Sequence, residues 1–563
     1  MKLPHYASSL LISAVMLMIG QAVLAQQAPS AANQLLQVPA PRTIQMIKPD
    51  LRVESDSQQP TASADTNAVV VKELQFTGAT LIAAAELIRV SGFAAGGGYT
   101  VAELRNLAST ITSHYRGLGY FLAQTYLPAQ DITEGVVRFT VVEGQYGQIN
   151  LQNRSGLSDA VANTLLAGLK GANAVSDSAL ERRLLMLSDL PGINVKSVLT
   201  PGAAFGSTDL LVDIAPGQPI SGSVEADNQG NSYTGSNRIG ASININEPTG
   251  LGDVATARLL TSGEGLAYGR ASYQALIGWV NVGLAYTTLQ YKLGGEFAST
   301  QSSGTARIGS VYVNYPLIRS RNRNLSAQWS IDNKEFADRS ENSSPVSSSD
   351  KKARTSSAGL RGDFRDALGS GFGNYALTWT QGTVNLQDPI GLRIDSMSAQ
   401  SNGTFDKVAL AFAHQQAITV GTDLFLSFNA QWASKNLDAS EKISLGGPGG
   451  VRAFPTGEAT GDEGVLFTLE SRTGLPSLTE RLSGQIQLIG FVDAGIVTLN
   501  KNPWDTGASS NRRVLTGAGL GFGYIGARNL MIKAYCAFKL GGEVATSAPD
   551  TPGRFWLQIN RTF

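Results

Sequence analysis

The chain has 563 residues, long enough for several domains, and lysine plus arginine and aspartate plus glutamate both total 44. A zero net charge argues against binding that works by neutralising phosphates, so no nucleic-acid partner is expected. Only 16% of residues are charged, the 62 glycines are about 11% against a usual ~7%, and the single Cys536 excludes an internal disulfide framework and a cysteine metal site.

Residues 1–25 read as a secretory signal. Lys2 gives the positive start, Leu10 to Ile19 is apolar, and Val23-Leu24-Ala25 offers small residues before a cut at Ala25/Gln26. No run of eighteen apolar residues follows, so no membrane helix is expected. Residues 26–68 are rich in Ala, Gln, Pro and Ser and are punctuated by Pro29, Pro39, Pro41, Pro49 and Pro60. They read as a linker, with room for one short helix near Ala31 to Leu36.

Residues 69–144 read as a small α/β unit. VVVKELQF (69–76) predicts a strand. Thr100 and Glu103 form a capping box that opens a helix to Tyr115, with Val101, Leu104, Leu107, Ala108 and Ile111 on its apolar face. Gly117 and Gly119 end it, and YFLAQTYL (120–127) and GVVRFTVVEG (135–144) predict two more strands. Residues 145–216 repeat the order: a strand at 147–152, a helix over Asp159 to Leu169, and a second helix opened by Ser178 and Glu181. That helix stops at Leu190-Pro191-Gly192, and strands INVKSVLTPG and STDLLVDIAP follow. Such a repeat marks tandem modules.

From 217 to 563 helical periodicity gives way to alternation. Val280, Val282, Leu284 and Tyr286 alternate with small or polar residues, as do Leu424, Leu426, Phe428, Ala430 and Trp432. Sixteen such strands fit between about 219 and 563. Even-numbered strands are followed by short turns such as EPTG (247–250), ALIG (275–278) and IGA (525–527). Several odd-numbered ones are followed by long polar loops at 334–352, 386–401 and 434–463. This asymmetry marks an outer-membrane barrel, and pairing of every backbone group in lipid requires the sheet to close. A soluble sandwich or propeller would carry more charge on its outer faces. The closing RFWLQINRTF places Phe555, Leu557, Ile559 and Phe563 on one face, as a lipid-facing last strand should.

Four stretches carry a family resemblance: LPAQDITEGVVRFTVVEG, LERRLLMLSDLPGINVKSVLTPG, SLGGPGGVRAFPTGEATGDEG and GFVDAG. In them the chain resembles the outer-membrane transporters of two-partner secretion, the haemolysin secretion/activation family, over about residues 69–563. The resemblance implies two periplasmic POTRA domains, 69–144 and 145–216, followed by a transmembrane β-barrel of sixteen antiparallel strands over 217–563. The stretch about 434–463 would be the sixth extracellular loop, folded back into the lumen. Two departures stand out. Ala453 occupies a position where the family often has glycine. The prolines of 26–68 speak against the long plug helix that many members hold inside the barrel.

The alternation supplies a candidate site. On strand 464–474, Val465, Phe467 and Leu469 face one way and Thr468, Glu470 and Arg472 the other. On strand 483–497, Gln485, Gln487, Phe491 and Asp493 share the face opposite Ile486, Leu488, Val492 and Ala494. A carboxylate does not face lipid cheaply, so Asp493 should point into the lumen and need a cation there. Arg452 offers a planar fork for bidentate pairing, with Glu470 a second acceptor. Around it, Gly446, Gly447, Val451 and Phe454 belong to the same loop signature, and the glycines let the loop turn back against the wall.

Other patterns lead nowhere. Gly521-Phe-Gly523-Tyr-Ile-Gly526 matches GxGxxG but is followed by a strand, not a helix. His5 leaves with the signal, and His114 and His414 lie in separate domains, so neither a metal site nor a cofactor is expected. No catalytic constellation is legible, and an enzyme is not expected. The resemblance implies one large secreted exoprotein, of adhesin or haemolysin type, as partner. Its N-terminal secretion domain would meet the POTRA domains at 69–216. The transporter would sit in outer-membrane lipid after insertion by the barrel assembly machinery, and would work without ATP. The alternative is an assembly insertase of the same superfamily.

Overall fold

The computed structural model describes residues 30–38, 50–53, 68–169, 174–263, 265–342, 347–366, 369–476, 484–504 and 510–563. The expected signal segment, 1–25, lies outside the described residues. A short helix, α1 (Ala31–Leu36), is followed by a short strand, β1 (Asp50–Val53).

The first α/β unit comprises β2 (Val69–Val71), β3 (Glu73–Thr77), α2 (Ala84–Ser91), β4 (Gly97–Tyr99), α3 (Val101–Gly117), β5 (Gln124–Tyr126) and β6 (Val136–Val142). The strand expected over 69–76 is divided at Lys72, whose N–H turns to the Gly135 carbonyl. As a result β2 pairs with β4 while β3 runs parallel to β6. The Thr100–Glu103 capping box starts α3, with the Thr100 N–H donating to Glu103 Oε2 at 2.7 Å. Leu104, Ala108, Ile111 and Tyr115 of α3 are buried against Val137, Phe139 and Val141 of β6. The strand expected over 120–127 shrinks to β5, because Tyr120 and Ala123 close a turn after α3.

The second unit holds β7 (Gln145–Asn153), α4 (Asp159–Leu166), α5 (Asp177–Ser188), β8 (Ile193–Pro201) and β9 (Ser207–Pro216). Ser176, not Ser178, sits at the cap of α5, and Ser178 lies in its first turn. The sheet order is β1-β8-β9-β7, so the linker adds a parallel strand to the β8 edge. This unit is bolted to the barrel. Arg319 makes a two-pronged pair with Asp189, at 2.6 and 2.7 Å, and Arg183 stacks over the Trp279 ring at 3.8 Å. Leu276 joins the same apolar core as Leu187 and Leu190.

Sixteen strands then form a closed barrel. They are β10 (Ile220–Asp227), β11 (Arg238–Asn246), β12 (Val254–Thr261), β13 (Leu266–Ile277), β14 (Val280–Lys292), β15 (Ser302–Arg319), β16 (Arg323–Ser340) and β17 (Ser347–Arg365). β18 (Gly371–Leu386), β19 (Gly403–Thr419) and β20 (Thr422–Ala433) follow, and two short loop strands, β21 (Ile443–Ser444) and β22 (Thr460–Gly461), pair with each other. β23 (Glu463–Gly474), β24 (Gly484–Thr498), β25 (Arg512–Gly526), β26 (Leu530–Lys539) and β27 (Gly553–Thr562) complete the ring, with β27 pairing back to β10. Outward positions carry exposed Leu284, Tyr286, Trp329, Trp379, Trp432, Phe538 and Phe555, the composition of a lipid-facing belt. Cys536 is among the exposed wall residues.

One expected loop is corrected. Residues 334–340 and 347–352 are paired strand, with Lys334 opposite Ala353, leaving only 341–346 between them. Polar side chains here do not signal a loop. Those pointing inward, such as Lys334, Asp338 and Lys351, find partners in a filled lumen. The 386–401 connection carries its own helix, α6 (Pro389–Met397), capped by Asp388.

Candidate functional site: an inward-folded loop and a short helix in the barrel lumen

The connection from β20 to β23 folds into the barrel. Gly447 takes φ +108°, a conformation side chains disfavour, and its N–H donates to the Phe454 carbonyl at 3.1 Å. Val451 N–H closes onto the Leu445 carbonyl at 2.7 Å, and Gly446 bridges Val451. The resulting tight turn buries Leu445, Val451, Ala453 and Phe454 against Leu466, Ile489, Phe491 and Leu515 of the wall. The loop thus brings an apolar underside to the lumen and holds it there by burial.

Arg452 is carried at the tip of this turn and is only 3% exposed. Its Nε and Nη2 donate to the two oxygens of Asp493 at 2.8 and 2.7 Å, and its Nη1 donates to Glu470 Oε1 at 2.6 Å. The Arg452 backbone N–H also reaches Asp493 Oδ2 at 3.1 Å. Asp493 accepts a further bond from Thr468, and Glu470 one from Arg472. The guanidinium lies over the Phe491 ring at 3.5 Å, and Trp556 Nε1 donates to the Arg452 carbonyl at 2.7 Å. A buried cation is thus met by two carboxylates and a ring face, which offsets the cost of removing it from water. The structure brings together all the residues singled out in the sequence: Arg452, Asp493 and Glu470 in contact, Gly446, Gly447, Val451 and Phe454 shaping the turn.

Several partners were not legible beforehand. The loop's stem carries Asp438 and Glu441, which pair with wall lysines: Lys351 with Asp438 at 2.6 Å, and Lys334 and Lys407 with Glu441 at 2.5 and 2.9 Å. Asp462 pairs with Lys442 at 2.6 Å. The acids at 438, 441, 458 and 462 gave no signal of their own, since carboxylates are ordinary on a solvent-exposed loop.

The six-residue α1 also lies in the lumen. Ala31 and Ala32 are fully buried among Tyr233, Leu266, Tyr291 and Phe336. Asp338 accepts the Ala31 N–H at 2.8 Å at the helix's positive end, and Arg238 donates to the Gln37 carbonyl at 3.3 Å at its negative end.

A closed barrel with an apolar outer belt, its lumen occupied by an inward-folded loop and its mouth joined to the second α/β unit, has the architecture of an outer-membrane transporter. The family model for haemolysin secretion/activation proteins ShlB/FhaC/HecB matches residues 206–524, and that for the ShlB-type POTRA domain matches 69–144. The chain belongs to this family and is an outer-membrane transporter of two-partner secretion, with its POTRA region in the periplasm. It is 29% identical over 471 residues to the heme/hemopexin transporter protein HuxB of Haemophilus influenzae strain 86-028NP, covering 82% of this chain and 81% of that one. It is 23% identical over 466 residues to the outer membrane transporter CdiB of Escherichia coli O6:K15:H31, covering 80% and 76%. Among solved structures, CdiB from Escherichia coli shares the fold at a TM-score of 0.72 with 20% identity, over 90% of this chain and 93% of that one. BamA from Haemophilus ducreyi, lacking POTRA domains 1–3, reaches 0.50 with 14% identity, over 88% and all of its chain.

Proposed function

We propose that the chain exports one large partner exoprotein, which crosses the periplasm unfolded and presents an N-terminal secretion domain to the α/β units. In this reading 69–144 and 145–216 are two receiving modules, 26–68 is a tether, and 217–563 is the pore. The β8 edge is suited to the encounter, because it already accepts a fourth, parallel strand from the chain's own linker. An incoming extended segment would take the place of β1 and gain the same main-chain bonds. The lid then leaves the lumen, the partner threads through, and its folding outside makes passage one-way without ATP. The barrel itself is inserted by the assembly machinery. The observation that carries this reading is the Arg452 fork on Asp493 and Glu470, which ties a glycine-rich loop into the barrel lumen. Mass spectrometry of culture medium with and without this gene tests it. One large protein should vanish from the medium while other outer-membrane proteins stay constant; a general fall of membrane barrels would instead mark an insertase.

A further inference from the structure

Six residues beyond Arg452, the lid carries a second buried charge of opposite sign. Glu458 is fully buried and accepts five hydrogen bonds, and none comes from the strands that hold Arg452. Oε1 takes Arg513 Nη1 at 2.5 Å and Thr546 Oγ1 at 2.8 Å. Oε2 takes the Thr546 and Ser547 N–H groups at 2.9 and 2.8 Å and Ser547 Oγ at 2.7 Å. Arg513 belongs to β25. Thr546 and Ser547 belong to the extracellular connection between β26 and β27, residues 540–552. Arg513 also holds that connection by itself, donating to Glu543 Oε1 and the Val544 carbonyl, both at 2.7 Å. Ala545 of the same connection shares the apolar cluster of Val451 and Phe454.

From this geometry we infer that Glu458 is a positioning residue of the transporter, an outer latch that ties the lid to the last extracellular connection. The lid is therefore fastened twice, to different walls, by charges of opposite sign. Arg452 holds its tip to β23 and β24 inside the barrel, and Glu458 holds its return limb to β25 and residues 540–552 at the exit. The two fastenings share no partner, so breaking one does not by itself break the other. The stem acids Asp438 and Glu441 do not serve this purpose, since they bind β16, β17 and β19 near where the loop leaves the wall.

This inference rests on the loop being the lid, but its test needs no partner. Single-channel recording of the purified full-length chain in a planar bilayer reads lid release directly. Glu458→Gln keeps the shape and removes the charge, and it should raise the time spent in open levels by about tenfold or more, with Arg513→Gln doing the same. Arg513→Lys keeps the charge but loses the fork that also holds Glu543 and the Val544 carbonyl, and should fall between wild type and Arg513→Gln. If the latches are separate, Glu458→Gln and Arg452→Ala should multiply in the double variant. Should Glu458→Gln fail to insert, Thr546→Val combined with Ser547→Ala removes donors and leaves the carboxylate paired, and should open the channel part-way. Wild-type gating in whichever variant inserts, while Arg452→Ala gates more often, would overturn the inference and leave the export reading untouched. Loss of the export reading by the medium experiment would leave the conductance result standing.

Discussion

The methyl group of Ala453 sits over Gly517: a Cβ placed on Gly517 would lie 2.6 Å from the Cβ of Ala453. Ala453 is fully buried and has an ordinary negative φ, so its position does not demand glycine. The room for its methyl comes from the wall, where β25 has no side chain. Gly517→Ala should therefore push the lid tip outward, at a cost of about 1–3 kcal/mol typical of overpacking. Ala453→Gly in the same chain should restore wild-type gating. Bilayer conductance of the three proteins checks this, and unaltered gating in Gly517→Ala would show that the contact is slack.

Arg452→Ala strips the counter-charge from Asp493 and Glu470, which stay buried. Breaking one side of such a set should weaken the lid locally by about 3–5 kcal/mol. The barrel should remain inserted, because its strands pair independently of the loop, while the amount of partner in the medium falls. Arg452→Lys keeps the charge but loses the fork and should fall between the two. Quantitative mass spectrometry of medium and membrane fractions separates these outcomes; full export by Arg452→Ala would remove this pair from the mechanism.

The Asp189–Arg319 pair joins the second α/β unit to the turn after β15. Both side chains are largely covered, so the pair should resist moderate salt. Arg319→Ala should widen the distribution of distances between spin labels placed on α4 and on β12. A distribution as narrow as wild type would assign the docking to Leu190, Leu276 and the Arg183–Trp279 stack instead.

The first unit should carry an acid-sensitive contact. Burial opposes the charge on Glu143, but bonds from the Thr80 hydroxyl, the Leu81 and Thr80 backbone and the Tyr115 hydroxyl outweigh it and hold its carboxyl below the usual glutamate range. The unfolded chain then binds the proton more readily than the folded one. The stabilisation is fully present above the unfolded value of about 4.3 and disappears as pH falls through the lower folded value. Glu143→Gln should lower the melting temperature of the periplasmic region at neutral pH and flatten its dependence on acid. An unchanged melting profile across that range would show the contact to be neutral.

Much of this site was readable because a strand has a strict two-residue period. Once the barrel was recognised, parity alone put Thr468, Glu470, Arg472 and Asp493 on the inner face, and a lone arginine in a glycine-rich loop had few other uses. Parity gives no account of contacts between segments distant in sequence. Glu458 and Arg513 are 55 positions apart, and nothing local to either names the other. The polar run at 334–352 misled for a related reason: a lumen filled by a loop and a helix is a polar interior, so strands bordering it look like loops. The six residues of α1 carry too little pattern to say where they dock, since their site is built by Tyr233, Tyr291, Phe336 and Asp338 from three other segments.

The α1 helix lies in the barrel lumen and the β1 strand pairs with β8 of the second α/β unit, and eleven residues, 39–49, join Val38 to Asp50. Fully stretched, that connection spans about 40 Å at most. While β1 stays paired with β8, α1 can therefore move no farther from that sheet edge than this length. One short connection thus couples what occupies the lumen to a strand of the neighbouring α/β sheet.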